Sequence, residues 1–120
     1  LYRRSRRVQT QTGGVMDILW SIYSQFGMDY YEMKEKRVTI KNKLGLHARA
    51  AAAFSRRASE FASHIVVIKD HMEVNGKSIM ELLTLAATKG SHIVIKAAGD
   101  DECQAVEALA RLVEQGFGEA

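Results

Sequence analysis

The 120-residue sequence predicts an α+β domain whose elements follow the order βαββαβα. Two observations support this class. A hydrophobic content of 47% is enough for one domain with its own core. From residue 34 onward, apolar residues recur alternately at strand-like and helix-like spacing, with turn formers between the segments. This order predicts an antiparallel or mixed sheet with helices packed on one face.

The first predicted elements are a strand, a turn and a helix. Val38 and Ile40 indicate a strand within residues 36–43, and residues 42–45 supply turn formers. Residues 48–61 are rich in alanine and arginine, which are good helix formers. The residues available for the buried face of this helix are Phe54, Ala58 and Phe61.

A β-hairpin and a short helix follow. Residues 64–69 contain an Ile-Val-Val-Ile run, residues 70–71 suit a tight connection, and residues 72–74 resume an extended pattern. Ser78 is then the expected N-cap of a short apolar helix over residues 79–85.

The last predicted elements are a strand and a helix. Residues 89–90 end the short helix, and residues 93–95 are a β-branched run typical of a strand. Asp100 or Asp101 is expected to cap the final helix. The apolar stripe of that helix consists of Ala105, Val106, Leu109, Leu112 and Val113.

Composition excludes several classes of protein. No apolar run reaches the roughly 20 residues that a transmembrane helix needs, so we expect no membrane insertion. The single cysteine, Cys103, cannot form an internal disulfide or a thiolate metal cluster, and a cytoplasmic location is expected. A net charge of +3 does not by itself indicate a nucleic-acid partner. No metal or cofactor is predicted.

Residues 1–32 differ in character from the rest of the chain. Four arginines precede residue 8, and residues 15–31 form an apolar and aromatic segment that could be a short amphipathic helix. Residues at helical spacing could dock this segment on a partner or a membrane surface: Ile18, Leu19, Ile22, Tyr23 and Phe26. We favour a translation-start or lineage-specific extension without an essential role, followed by a domain over residues 33–120.

His47 is the main candidate for chemistry. It lies between a glycine-containing turn and the first turn of the predicted helix, where backbone N–H groups have no intrahelical acceptor and favour a bound anion. A neutral imidazole is a competent nucleophile, and the N–H groups of Ala48 and Arg49 could hold an attached phosphoryl group. The guanidinium of Arg49 could offset charge on its oxygens. Taken alone, such a histidine is more often a simple helix N-cap.

The string Gly-Leu-His-Ala-Arg-Ala-Ala over residues 45–51 resembles the phosphorylation site of the HPr family, the histidine-containing phosphocarriers of the bacterial phosphotransferase system. The resemblance extends over residues 33–120, including the Val-Asn-Gly-Lys-Ser-Ile-Met string at residues 74–80 and the Thr-Lys-Gly turn at residues 88–90. It implies an open-faced sandwich of a four-stranded antiparallel sheet and three helices.

This resemblance implies a phosphoryl relay. His47 would accept a phosphoryl group on its δ nitrogen from phosphorylated enzyme I and deliver it to an enzyme IIA domain, with Arg49 as the phosphate-site arginine. The protein would be the phosphorylated intermediate and not an enzyme, and a monomer is expected. Ala50 stands where the family usually has proline, a change expected to alter transfer kinetics at most, because alanine suits an early helical position.

The resemblance also suggests regulation and docking. Ser78 matches the serine that HPr kinase/phosphorylase modifies, although its N-cap role alone would explain its presence. Ile79 and Met80 could form an exposed apolar surface for enzyme I and enzyme IIA, with core packing as the alternative. Arg56 could steer acidic partners.

Two alternatives remain at this stage. One is a regulatory binding protein of the same fold that responds to Ser78 phosphorylation without a histidine relay; the presence of His47 and Arg49 argues against it. The other is a small nucleic-acid-binding domain, which we consider unsupported because residues 72–74 lack base-stacking aromatics. No role is predicted for the remaining histidines or the cysteine: His64, His71, His92 and Cys103.

Overall fold

Seven elements of secondary structure follow one another in the computed structural model, which describes residues 34–119. Their order confirms the predicted βαββαβα class, whereas the predictions for residues 1–32 lie outside the described residues. The elements are β1 (Lys34–Thr39), α1 (Ala48–Ala58), β2 (His64–Lys69), β3 (Met72–Asn75), α2 (Ile79–Thr84), β4 (His92–Ala98) and α3 (Glu102–Glu114), with a 3-10 turn at Gly116–Gly118.

The four strands form one sheet in the order β1-β4-β2-β3, and every neighbouring pair is antiparallel. The register places Ile95 of β4 beside Lys36 on one side and Val67 on the other. Of the antiparallel and mixed arrangements that the element order allowed, the antiparallel one is therefore present.

The core lies between the sheet and the helices. Alternate strand residues such as Val67, Ile93 and Ile95 are buried on this side of the sheet. The helices contribute Phe54 from α1 and Leu109 from α3, both buried as their apolar spacing predicted. None of the three helices in the described range has the length and apolar character required to cross a membrane.

Several predicted boundaries differ from the structure, and the first strand and the first helix both end at least three residues earlier than predicted. The strand β1 ends at Thr39; Ile40 remains fully buried, but its N–H and C=O groups bond residues 91 and 90 of a loop. The helix α1 ends at Ala58, three residues before Phe61, because the chain tightens into i→i+3 bonds there, including one from the Phe61 N–H to the Ala58 carbonyl at 3.2 Å.

Asp101 occupies the N-cap position of α3, but its carboxylate makes no capping bond to that helix. It accepts hydrogen bonds instead from the N–H groups of Ala62 and Ser63, at 2.9 and 3.0 Å, and from the Ser63 hydroxyl. Burial opposes ionisation, yet these three donors, together with the N–H of Asp101 itself, outweigh it and hold the pKa of Asp101 below its usual value. The residue therefore joins the loop before β2 to the start of α3.

Gly45 shapes the loop that leads into α1. Its φ is +69°, a left-handed conformation that side chains rarely adopt, and a Cβ atom there would lie 2.4 Å from the Ala87 carbonyl oxygen. The following residue, Leu46, donates its N–H to the same carbonyl at 2.9 Å. Glycine is thus required for the close approach of the two loops.

We predict that Gly45→Ala lowers the free energy of unfolding by more than about 2 kcal/mol, because left-handed strain and a backbone clash add together. The matched control is Gly90→Ala, since Gly90 has a φ of +92° but no atom within 4 Å of an added Cβ. Urea unfolding of both variants measures the difference. Equal destabilisation of the two variants would show that the contact with Ala87 has no energetic weight.

Candidate functional site

His47 is the N-cap residue of α1, as its place in the sequence suggested. Its backbone is extended, with φ −84° and ψ −176°, and its side chain makes no capping hydrogen bond to the helix. The ring is 27% exposed, so it is held by the protein on one side and accessible to solvent on the other. The simple N-cap interpretation of this histidine is therefore wrong.

The backbone amides after His47 form the first turn of α1, and none of the side chains of that turn is acidic. The N–H of Ala51 bonds the His47 carbonyl at 2.8 Å, which closes the first turn of α1. The N–H groups of Ala48, Arg49 and Ala50 precede that bond and have no i−4 carbonyl within the helix. Together with the positive end of the helix dipole, they favour an anion next to the imidazole.

The C-terminal segment returns to the histidine after α3. Phe117 is buried with a φ of +59°, and this turn directs Glu119 back toward the start of α1. One carboxylate oxygen of Glu119, Oε2, lies 2.6 Å from Nε2 of His47. The other, Oε1, accepts a hydrogen bond from the Asn42 amide at 2.8 Å.

Asn42 connects this carboxylate to the loop that carries the histidine. Its buried side-chain amide donates both to Glu119 and to the Gly45 carbonyl, each at 2.8 Å. The hydrogen bond from Asn42 has the largest effect on the pKa of Glu119 and lowers it. Desolvation raises this pKa, but the hydrogen bond to His47 and the charges of His47 and Arg49 lower it further, so the pKa lies below its usual value. Glu119 is thus held in its ionised form.

A surface cleft of about 470 Å³ adjoins this cluster. Two cationic side chains, Lys43 and Arg49, line it together with the carboxylate of Glu119. Arg49, which the sequence singled out, is exposed here and close enough to Glu119 to influence its charge. The remaining lining residues are Leu44, Phe117 and Gly118. The cleft offers positive charge to an anionic group beside His47.

Ser78 caps α2, as predicted: its hydroxyl accepts a hydrogen bond from the Glu81 N–H at 3.2 Å. The residue is partly exposed. The loop before it is fastened to α1 through the Ser55 hydroxyl, which donates to the Lys77 carbonyl at 2.8 Å. The helix α2 therefore has a defined position against α1, the helix that His47 precedes.

Three apolar side chains of α2 are exposed, and we call them the α2 surface: Ile79, Met80 and Leu83. Met80 is 80% exposed, which excludes core packing as the explanation for that residue. Leu44, beside the cleft, is 66% exposed. Arg56 is exposed on α1, and no residue in the described range forms an ion pair with it.

The other histidines and the cysteine lie apart from this cluster. Burial, followed by the charge of Lys77, lowers the pKa of His64, and His92 is within 2.9 Å of the Thr39 hydroxyl. Cys103 is exposed on α3. Within residues 34–119, His, Cys, Asp and Glu side chains form no group of three that could hold a metal ion.

Sequence reasoning identified His47 and Arg49 as site residues but missed three of their neighbours. Asn42 and Lys43 belonged only to the predicted turn, and Glu119 was not considered. The glycine-flanked phenylalanine after the last helix is a local signal of a turn, but no local pattern shows that the turn brings a carboxylate to a histidine 72 residues earlier.

Comparisons with known proteins identify the family of this chain. A family model described as "PTS HPr component phosphorylation site" matches residues 34–115. The phosphocarrier protein HPr of Neisseria meningitidis is 48% identical over 87 residues, covering 72% of this chain and 98% of the relative. The HPr-like protein Crh of Halalkalibacterium halodurans is 47% identical over 83 residues, covering 69% and 99%.

Solved structures show the same similarity in three dimensions. A crystal structure of HPr-C-His from Thermoanaerobacter tengcongensis superposes with a TM-score of 0.70 at 49% identity, covering 72% of this chain and 98% of that one. The chain belongs to the HPr family, the phosphocarrier proteins of the phosphotransferase system.

Proposed function

We propose that this chain is a phosphoryl relay that accepts a phosphoryl group on Nδ1 of His47 from phosphorylated enzyme I and passes it to an enzyme IIA domain. The observation that carries this proposal is the position of His47 at the amide end of α1, with its opposite ring nitrogen bound by Glu119. Membership of the HPr family supports the same partners.

The hydrogen bond to Glu119 determines which ring nitrogen is nucleophilic. An ionised carboxylate can only accept, so Nε2 of the neutral ring must carry the proton, and Nδ1 then bears the free lone pair. No described residue is hydrogen-bonded to Nδ1 of His47. A phosphoryl group arriving from the solvent side therefore meets an available lone pair at Nδ1.

The surroundings of His47 suit a transferred phosphoryl group. The bond between Nδ1 and phosphorus forms as the bond between phosphorus and the enzyme I donor breaks, and the reverse exchange delivers the group to enzyme IIA. The N–H groups of Ala48 and Arg49 can bind its oxygens, and the guanidinium of Arg49 can offset their charge. Because two of these groups are backbone amides of the first helical turn, transfer would require little reorganisation.

The α2 surface and Arg56 provide a means of docking. Exposed apolar side chains next to a reactive residue are typical of a protein-binding site, and methionine adapts to several partners. Arg56 adds positive charge on the helix that follows His47, which favours partners with acidic rims. We propose that enzyme I and enzyme IIA use this surface in turn.

Ser78 is a proposed regulatory site for an HPr kinase/phosphorylase. Its partly exposed hydroxyl adjoins the α2 surface, so a phosphate there would add negative charge beside the apolar side chains that partners bury. The similarity to a Crh protein favours an alternative, a regulatory binding protein controlled through Ser78 without a histidine relay. The arrangement around His47 favours the relay.

We predict that His47→Ala loses phosphoryl transfer. Incubation of the parent chain with enzyme I and labelled phosphoenolpyruvate should give an acid-labile, base-stable label, because phosphohistidine has that stability. The label should fall to background in His47→Ala and persist in His92→Ala, an exposed histidine elsewhere on the fold. Undiminished label in His47→Ala would exclude His47 as the acceptor.

The Glu119 contact predicts a pH-dependent contribution to stability. Because folding lowers the pKa of Glu119, the stabilisation is fully present above the unfolded-state pKa and is lost as pH falls through the folded-state value. Urea unfolding should show the parent more stable than Glu119→Gln at neutral pH, with the difference shrinking on acidification below about pH 4, near the usual glutamate pKa. Glu114→Gln, at the exposed end of α3, should show no such change. A difference that does not vary with pH would contradict the ionised contact.

We predict that HPr kinase/phosphorylase and ATP place an acid-stable label on Ser78 and that the modified chain accepts label from enzyme I more slowly, because charge is added beside the α2 surface. Ser78→Ala should lose the acid-stable label, and Ser91→Ala should retain it. The lost N-cap costs about 1 kcal/mol, so the fold of Ser78→Ala is checked by circular dichroism. Acid-stable label that persists in Ser78→Ala would exclude Ser78 as the residue that the kinase modifies.

A further inference from the structure

The side chain of Asn42 uses both of its amide hydrogens. The residue is 6% exposed, and its Nδ2 donates one hydrogen to the Gly45 carbonyl and the other to Oε1 of Glu119, each at 2.8 Å. The Asn42 carbonyl in turn accepts a hydrogen bond from the N–H of Gly45 at 3.2 Å, so one turn holds both the backbone and the side chain. Asn42 therefore presents a donor, and not an acceptor, to Glu119.

The neighbours of this amide group fix its orientation. If the group were turned over, Oδ1 would face the Gly45 carbonyl and the Glu119 carboxylate, and acceptors that face one another repel. In the orientation present, Oδ1 is buried and bonds no residue in the described range. An unpaired buried oxygen costs free energy, so the two donor bonds are the contacts that keep the amide in place.

We propose that Asn42 is a positioning residue that determines, through Glu119, which nitrogen of the His47 ring carries the proton. This inference rests on the proposed relay, in which Nδ1 is the acceptor. Because Asn42 donates, the group at position 119 must turn an acceptor toward it. A carboxylate has a second acceptor left for Nε2 of His47, 2.6 Å away, and this acceptor keeps the proton on Nε2. The lone pair of the neutral ring is then on Nδ1.

The same contacts serve both directions of transfer, because the proton on Nε2 does not have to move. As the bond between Nδ1 and phosphorus forms, the bond to the enzyme I donor breaks and the donor keeps its electron pair. The phosphorylated ring carries a positive charge, which the Glu119 carboxylate offsets. On delivery, the bond between Nδ1 and phosphorus breaks, its electron pair returns to Nδ1, and the ring is again a neutral imidazole protonated at Nε2.

Glutamine at position 119 separates this role from simple mechanical support. Its side chain has nearly the shape of glutamate, but only one of its two terminal atoms is an acceptor. Because Asn42 donates, the carboxamide oxygen must face Asn42, and the carboxamide NH₂ group must then face Nε2 of His47. Nε2 becomes the acceptor, and the ring proton moves to Nδ1, where it blocks the phosphoryl group.

The first test measures the His47 tautomer by ¹⁵N NMR of the full chain at about pH 9, where histidine side chains are neutral. The parent should carry the ring proton on Nε2, and Glu119→Gln should carry it on Nδ1. The double change Asn42→Ala and Glu119→Gln should lose this inversion, because nothing orients the carboxamide. The matched control, Glu114→Gln at the exposed end of α3, should keep the tautomer of the parent.

A second variant covers the case in which Asn42→Ala prevents folding. Asn42→Ser, combined with Glu119→Gln, retains a hydroxyl that can donate to the Gly45 carbonyl. A hydroxyl has one hydrogen, so it has no second donor for residue 119. The inversion should be lost in this variant as well.

The second test compares the rates at which phosphorylated enzyme I labels two variants. Glu119→Gln should accept label severalfold more slowly than Glu119→Ala, although glutamine is closer in size to glutamate. Alanine removes the partner of Nε2 without forcing the proton onto Nδ1, so its rate should lie between those of the parent and Glu119→Gln. Mechanical support alone predicts the opposite order, since alanine removes both hydrogen bonds of the carboxylate.

Three results would overturn the proposal. The first is a ring proton that stays on Nε2 in Glu119→Gln. The second is an inverted tautomer that persists when Asn42 is also replaced, which would show that another group orients residue 119. The third is slower labelling of Glu119→Ala than of Glu119→Gln. A parent that shows the expected tautomers but takes no label from enzyme I would contradict the proposed relay and still support the control of the ring by Asn42.

Discussion

The arrangement of the site depends on the two hydrogen bonds of the Glu119 carboxylate. It bonds both Asn42 and His47, so it ties the C-terminal segment to two points of the loop before α1. The distances of 2.8 and 2.6 Å are those of charge-assisted hydrogen bonds. A flexible imidazole would sample several rotamers, whereas a ring bound at Nε2 presents Nδ1 in one direction. Positioning of this kind lowers the entropy cost of group transfer.

The same contact is consistent with a carrier that both accepts and releases its cargo. A relay must bind the phosphoryl group well enough to take it and weakly enough to pass it on. Backbone amides and Arg49 favour the group, while the carboxylate of Glu119 places a negative charge across the ring from it. In the proposed relay, attraction and repulsion on opposite sides of one imidazole would keep the phosphorylated state from being too stable to pass its phosphoryl group on.

Local signals in the sequence were sufficient for most of the fold and part of the site. The cap at Ser78 and the hairpin turn depend on residues that are neighbours in sequence, so both could be predicted from local patterns. Glu119 was missed because its contacts with Asn42 and His47 span 77 and 72 residues. Asp101 shows the same limit: its position predicted a cap, but a loop 38 residues earlier provides its partners. Long-range contacts of polar side chains have no periodicity in sequence, unlike the apolar stripes that form a core.

The architecture separates two kinds of surface. The three helices of residues 34–119 lie on one side of the sheet, so the start of α1 and the exposed side chains of α2 share that side with the C-terminal segment. An open antiparallel sheet leaves its other face to be covered or to remain polar. In this chain the row through Arg37, Val94 and Ile68 is partly apolar, while Glu35 and Lys96 on the same face form an ion pair at 3.5 Å. Because the sheet itself stands between the two faces, a partner docked beside His47 and the α2 surface would leave the other face free.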